Sequence, residues 1–457
     1  MKEKQTDILF RELPVGARRH GIRAFRSGAA NDEFDGSRPL QRFELAVRQV
    51  GWQRGKYALV PFWGWEFFYF PFTANWVVPR EGEARPNSLD SLNVYEGVIV
   101  MERVFNFNAG PSAMPLDVLQ RVQQEFLDFD GTGMSIVEIS HRSAAYQRMQ
   151  DETVALLQKL LQIPEGYHVI FMQGGGSMQF LMHGANFLHH RGGYLNTGVW
   201  SNKAMKAASY YGDVYEVASS KDDNFNHIPK ASEFNVLPDT DYVYMTSNNT
   251  IHGTQWQEFP TFQVPLFCDM SSDFLSRPVD VSNFDFIYAG VQKNVGPAGV
   301  VVGIIKDEQL QRICRTLPDM LSYKTFTDHD STYNTPPVFC IYFVNRVCQW
   351  LDANGGLAAM DKHNRAKAAI VYDAIDRSNG FYVGHAQKNS RSLMNVTFNL
   401  ADTDMEADFV TQAAAHQLIG VKGHRSIGGC RASIYNAVTE EACQALADFM
   451  DNYRKNH

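Results

Sequence analysis

Long apolar runs are absent: no stretch reaches the ~18 residues a membrane span needs, and the N-terminus lacks a basic-then-apolar secretion signal. Cysteine is scarce and dispersed. Cys268, Cys314, Cys340, Cys348, Cys430 and Cys443 stand singly, with no C-x-x-C pair, which argues against a zinc knuckle or disulfide framework and for a reducing, cytoplasmic setting. Positive charge is in deficit as well. Forty-two Lys and Arg face 50 Asp and Glu, a formal net charge of −8, so nucleic acid is not an expected partner, and with no apolar span neither is a membrane. There is no internal repeat and no low-complexity tract. The chain has 457 residues, 44% of them hydrophobic. That length suggests about two to three domains with a sizeable buried core.

Charge is unevenly spread. Residues 1–60 hold 12 Lys and Arg against 7 acids, whereas 101–457 hold 28 against 38. Four of the seven Trp lie in the first hundred residues (Trp52, Trp63, Trp65, Trp76), with an aromatic run from Phe62 to Phe72. One helical pattern is present there, with Leu40, Phe43, Val47 and Val50 on a single face. Two readings follow. Exposed aromatic clusters mark interaction surfaces, so 1–100 could be a membrane-surface or partner-binding appendage. The favoured expectation is a translated leader with the true start at Met101, because Glu96-Gly97 is encodable by a purine-rich ribosome-binding site just upstream.

From Met101 onward, helix and strand patterns alternate. Leu116, Leu119, Val122 and Phe126 recur at helical spacing after Pro115, expected at the first helical position. A second helix carries Val154, Leu157, Leu160 and Leu161 and stops near Pro164-Glu165-Gly166. Short apolar runs suited to buried parallel strands follow at 169–172, 242–245, 264–268, 284–288 and 300–305, with helix-like stretches such as 178–188 between them. The expected architecture is α/β, a mainly parallel sheet sandwiched by helices. After Asn354-Gly355-Gly356 the pattern changes to long polar helices and an isolated strand near 393–398. The expected organisation is an extension over 1–100, an N-terminal segment over 101–115, a large domain over 116–355 and a smaller α+β domain over 356–457.

In open α/β sheets ligands sit at the carboxyl ends of strands, so residues just after each apolar run carry the information. Gln173-Gly174-Gly175-Gly176-Ser177 leads into a helix, and glycines with helix N–H groups hold a phosphate. A tight strand-to-helix turn explains the same residues equally well. Asp269 follows a buried run, where a helix cap or loop carboxylate is the common fate. Lys293, in Val291-Gln292-Lys293-Asn294, lies among small residues between two core strands. Burying its ammonium would be costly unless it faces a ligand or forms an imine, although a hairpin loop could expose it. A phosphate cup, an acid and a lysine together are what pyridoxal phosphate requires. Trp200 could stack on its ring and Thr250 could donate to its phenolic oxygen, while each alone reads equally as core or turn.

Several ordered segments carry a family resemblance: Phe105 to Ser112, Ile139-Ser140-His141-Arg142-Ser143, Gln173 to Phe180, Tyr288 to Gly299, Asn334-Thr335-Pro336-Pro337 and Lys422 to Ser433. On these, residues 101–457 resemble the phosphoserine aminotransferases, class V members of the fold-type I pyridoxal phosphate enzymes. Residues 1–100 have no counterpart. The resemblance implies that Lys293 binds the cofactor aldehyde, Asp269 pairs with the ring nitrogen, Trp200 stacks on the ring and Thr250 contacts its phenolate. Gln292, Gly176 and Ser177 would bind the cofactor phosphate, with Asn334 and Thr335 reaching it from the second subunit of a homodimer. Arg431 would clamp the substrate carboxylate, and His141 and Arg142, with His424 and Arg425 of the partner subunit, would receive the phosphate ester. Planar Arg forks suit both groups.

The implied reaction is transfer of the amino group of glutamate to 3-phosphohydroxypyruvate, giving O-phospho-L-serine and 2-oxoglutarate. The longer phosphohydroxythreonine-type substrate of vitamin B6 synthesis is a further expectation. Some relatives place an additional basic residue at the end of the Gly-rich loop, where this chain has Ser177-Met178. Two alternatives stand beside this reading: a class V desulfurase or lyase using Cys430, and a binding protein that keeps the fold without the chemistry.

Overall fold

The computed structural model describes residues 103–457, together with the backbone of short strand segments at 57–58, 70–71, 92–95 and 98–101. The helical face expected over Leu40 to Val50, the side chains of the Phe62–Phe72 run and the reading of 1–100 as leader or appendage lie outside the described residues.

Seven strands form the main sheet: β1 Tyr167–Gly174, β2 Arg191–Asn196, β3 Asp213–Ser219, β4 Thr240–Thr246, β5 Leu266–Asp269, β6 Phe286–Gly290 and β7 Gly299–Lys306. Their order is β1-β7-β6-β5-β4-β2-β3. β4, β5 and β6 run parallel, as do β2 and β3 with β4, whereas β7 runs antiparallel to both of its neighbours, β6 and β1. The mainly parallel sheet matches the expectation, and five of its strands cover the five apolar runs.

β2 and β3 were not evident as apolar runs. Gly192 and Gly193 interrupt the first and Asp213 and Glu216 the second, and glycine is poor in strands. The glycines are there for space. A Cβ on Gly193 would lie 2.6 Å from Val217 Cγ2, and one on Gly192 would lie 3.0 Å from the Tyr242 ring.

Side chains alternate between the faces of the sheet, as a two-residue period demands. One face presents Phe171, Val243, Met245, Cys268, Ile287, Val300 and Val302 to helices Leu116–Glu125, Ala144–Leu161 and Val338–Ala353. The other presents Tyr242, Tyr244, Phe267, Phe286 and Tyr288 to helices Gly176–Phe187, Val199–Ala208 and Tyr323–Asp328. Each such buried side chain contributes roughly 1.5–3 kcal/mol of transfer free energy. Pro115 stands one position earlier than expected, at the cap of the Leu116–Glu125 helix. The Ala144–Leu161 helix is capped by Ser143, whose side chain accepts from Tyr146 N. It ends at Gln162 in the left-handed conformation, two residues before Pro164.

A second core gathers around β8 Val383–Gly384, β9 Asn395–Asn399 and β10 Cys430–Ser433, in the order β8-β9-β10 and antiparallel throughout. The strand expected near 393–398 is therefore β9, the centre of a three-stranded sheet rather than an isolated strand. Its neighbours are too short or too interrupted to register as apolar runs. Helices Gly356–Asp376, Thr403–Ala415 and Glu440–Asn456 supply the rest of this core through residues such as Val371, Phe409 and Leu446. Phe107 joins it from the N-terminal segment, where Phe105–Asn106 pairs in parallel with Leu418–Ile419.

Candidate active site

β1, β4, β5 and β6 share one direction, so their carboxyl ends lie along one edge of the sheet, and the expected site residues leave from that edge. Asp269 is the last residue of β5, in register with Thr246 of β4 and Tyr288 of β6. It is buried, and Ser271 N donates to its Oδ1 at 2.8 Å. Lys293 lies three residues beyond β6, in the hairpin that turns back into β7. The hairpin does not expose the lysine as a free surface amine. Its Nζ donates to Thr250 Oγ1 at 3.2 Å and sits 5.7 Å from the centre of the Trp200 ring. Burial lowers the Lys293 pKa below that of an ordinary lysine. The carboxylates of Asp269 and Asp273 pull it back up, and Arg431 pushes it down further.

The Gly-rich turn forms a cradle. Gly175 caps the Gly176–Phe187 helix without a side-chain hydrogen bond, so no side chain covers the first N–H groups of that helix. A Cβ on Gly176 would lie 3.2 Å from Ser271 Oγ. One on Gly290 would meet the Gln292 amide oxygen at 2.9 Å and Gly176 N at 3.3 Å. The Gln292 amide, the helix start, Ser271 and Gly290 thus converge on one small volume, with Ser177 exposed beside it. Ser271 Oγ also accepts from Gly290 N at 3.0 Å.

Cations gather at a second end. Arg431, on β10, donates through Nη1 to the Thr250 carbonyl at 3.2 Å, and its buried Nε has no hydrogen-bond partner. Burial lowers the Arg431 pKa. His424 is held below its ordinary value first by burial and then by the charges of Arg431, Arg425 and Lys203. Arg425 is exposed. His141 is half-buried with an unpartnered Nε2, and Arg142 is exposed. Among the described residues, neither shares a hydrogen bond or ion pair with Arg431, His424, Arg425 or Lys293. Asn334 is half-buried and Thr335 exposed, and the Thr335 carbonyl accepts from Gln173 Nε2 at 2.8 Å within the same chain.

Three polar contributors were not singled out from the sequence. Ser271 follows Asp269 by two residues, a spacing that could have flagged it as part of the same loop. Lys203 stands one helical turn after Trp200, and its Nζ lies 4.7 Å from that ring centre. Asp273, fully enclosed, has its pKa raised by burial and opposed by Arg277. Cys430, the nucleophile of the desulfurase alternative, is buried, and burial pushes its thiol up to about 12. That is the wrong direction for a reactive thiolate. Among the described residues, no group of three or more His, Cys, Asp or Glu is arranged to hold a metal ion.

The residues fit pyridoxal phosphate. The start of the Gly176–Phe187 helix has no side-chain cap and open space beside Gly175, which suits an anion, Trp200 and Thr250 flank the lysine amine, and the Arg431 Nε awaits an acceptor. Sheet and site together define the class, a fold-type I enzyme dependent on that cofactor. Residues 104–446 match the model of the family described as aminotransferase class-V. The phosphoserine aminotransferase of Lysinibacillus sphaericus is 51% identical over 359 residues, covering 78% of this chain and 99% of that protein. The solved phosphoserine aminotransferase from Bacillus circulans subsp. alkalophilus aligns with a TM-score of 0.76 at 48% identity, over 78% of this chain and 99% of that one. The pyridoxal-phosphate-bound phosphoserine aminotransferase from Trichomonas vaginalis aligns with a TM-score of 0.74 at 39% identity, over 76% and 100%. The chain belongs to the class-V aminotransferase family, among its phosphoserine aminotransferases.

Proposed function

We propose that the chain transfers the amino group of glutamate to 3-phosphohydroxypyruvate, forming O-phospho-L-serine and 2-oxoglutarate. The longer phosphorylated hydroxyamino acid of vitamin B6 synthesis is a second substrate to test. The observation that carries the reading is Lys293: an amine with a depressed pKa, bonded to Thr250 and facing Trp200, with the buried Asp269 among the charges acting on it.

When bound, pyridoxal phosphate supplies an electron-withdrawing ring that stabilises negative charge at the substrate α-carbon. Lys293 Nζ moves the proton to and from that carbon, and burial, by lowering its pKa below that of an ordinary lysine, favours the free base that the task needs. Asp269 keeps the ring nitrogen protonated. Its carboxylate is fixed by the Ser271 N–H and shielded from water by burial. Gly176, Ser177 and Gln292 hold the cofactor phosphate with backbone and amide donors. Arg431 holds the α-carboxylate through the edge left open at Nε, fixing which substrate face meets the lysine.

The phosphate end takes two His-Arg pairs, His141-Arg142 and His424-Arg425, contributed by two subunits of a homodimer. Asn334 and Thr335 of one subunit then complete the cofactor phosphate site of the other. Large exposed apolar side chains between Leu116 and Val137, among them Leu127 and Val137, precede His141 and support such an interface. In this reading 116–355 acts as a large cofactor-binding domain and 356–457 as a small one, in a cytoplasmic enzyme. Among the described residues, no helix is long and apolar enough to cross a membrane.

The test is a spectral titration of the purified chain with pyridoxal phosphate and phosphoserine, followed by assay of 2-oxoglutarate-dependent turnover. A visible imine band that bleaches with phosphoserine and returns with 2-oxoglutarate is expected. No spectral response to phosphoserine, or release of sulfide from cysteine, overturns the reading.

A further inference from the structure

The Gly356–Asp376 helix carries an ammonium that the chemistry above does not use. Lys367 is fully buried. Its Nζ donates to two successive backbone carbonyls, Ile434 at 3.1 Å and Tyr435 at 2.7 Å. Desolvating a lysine costs several kcal/mol, and an apolar side chain would cover the same space without that cost. Burial indeed draws its pKa down to about 7, with Cys443 and Glu440 opposing the shift. The ammonium is therefore kept for what it holds.

What it holds is a turn with two ends in the site. Upstream, Arg431 lies three residues before Ile434, on β10. Downstream, Asn436 N donates to Asn294 Oδ1 at 3.0 Å, and Asn294 is the residue after Lys293. Asn436 Nδ2 also donates to the Leu275 carbonyl at 2.9 Å, in the segment that follows Asp269. Without the clamp, the Ile434 carbonyl loses its partner and the Tyr435 carbonyl keeps only Val438 N, while Asn364 Nδ2, donating to Asn436 Oδ1 at 2.9 Å, is left to tie the turn to the helix.

We propose that Lys367 is a positioning residue for transamination: it clamps the 434–436 turn from behind and so sets the carboxylate-binding Arg431 against the Lys293 loop. The inference rests on the functional reading above for the meaning of Arg431, and it concerns geometry rather than proton transfer. The terminal nitrogen carries enough N–H donors for both adjacent carbonyls whether protonated or neutral, which an apolar side chain of similar length lacks.

The test compares the full-length holoenzyme with Lys367→Met and Asn436→Ala, using three readouts. Lys367→Met is expected to weaken binding of glutamate and of 2-oxoglutarate by about tenfold, the worth of one charged hydrogen bond from a displaced Arg431, while the visible band of the loaded lysine persists. Amide hydrogen exchange over residues 431–436 is expected to accelerate in the same variant. Combined with Asn436→Ala, the loss of affinity is expected to be less than additive, because both act on one turn. Should Lys367→Met fail to fold, Asn436→Ala alone is expected to show the same affinity loss and faster exchange. A Lys367→Met protein that melts earlier but keeps wild-type affinities and wild-type exchange at 431–436 overturns the proposal, as does Asn436→Ala with unchanged affinity and exchange. Wild-type protein that ignores phosphoserine would instead sink the functional reading, and the exchange comparison would still report on the clamp.

Discussion

The Arg431 guanidinium donates to the backbone carbonyl of Thr250, the same residue whose hydroxyl accepts from Lys293. One threonine therefore ties the Arg431 guanidinium to the Lys293 amine. Its backbone carbonyl faces the proposed carboxylate clamp and its hydroxyl faces the proposed cofactor lysine. Thr250 itself is buried.

Replacing Lys293 by Ala is expected to reduce turnover by about 10³-fold or more, since the proposed general base and covalent anchor are removed together. Steady-state assay with phosphoserine and 2-oxoglutarate measures it. Borohydride reduction and peptide mapping should label Lys293 in the wild type, and a label on another lysine would reassign the chemistry.

Arg431→Gln should act on substrate affinity. Losing a charged hydrogen bond to a carboxylate is worth about 1.5–3 kcal/mol, so kcat/KM for glutamate should fall roughly 10- to 100-fold. Titrating the variant with glutamate should require correspondingly higher concentrations to change the visible spectrum.

Cys430→Ala should retain transamination, because burial pushes the thiol up to about 12, away from the thiolate a nucleophile needs. An assay for sulfide release should be blank in both proteins. Loss of activity in a folded Cys430→Ala variant would revive the desulfurase alternative.

Acid should weaken the fold through His183. It is fully buried, lies 2.9 Å from Tyr194 Oη, and burial lowers its pKa to about 4. The unfolded chain binds the proton near 6.5, so the contribution is complete above about pH 6.5 and drains away as pH falls towards 4. At about pH 5 the loss amounts to about 2 kcal/mol. Urea unfolding at about pH 7 and about pH 5 should show a shallower decline for His183→Gln than for the wild type.

Gly193→Ala should destabilise by about 1–3 kcal/mol, as overpacking does, because the new methyl would lie 2.6 Å from Val217 Cγ2. Thermal melting tests it, and a neutral result would mean that β2 and β3 shift apart freely.

The sheet was legible wherever apolar residues ran uninterrupted, as at Val300 to Ile305. It was illegible at Gly192-Gly193, because close packing of two strands around a missing side chain has the sequence signature of a turn. Asp269 and Lys293 stood out for a related reason: each is a charge at the end of a run that must be buried. Ser271 and Lys203 did not. A serine in a loop and a lysine on an exposed helix face are commonplace, and only the fold brings the first to the helix start and the second over Trp200. Lys367 reads as an ordinary polar helix position. Its enclosure arises when the 434–435 carbonyls arrive from 67 and 68 residues further along the chain.

The aromatic face of the main sheet has a consequence for how the molecule behaves in alkali. Tyr194, Tyr244 and Tyr288 are enclosed, and burial raises each pKa well above that of a free phenol. While the sheet is intact, base dissolves the ordinary competition between folded and ionised phenol in favour of the neutral form. Their phenolate absorbance should therefore emerge as a step at the moment the layers separate, giving an intrinsic optical gauge of the sheet that requires no label.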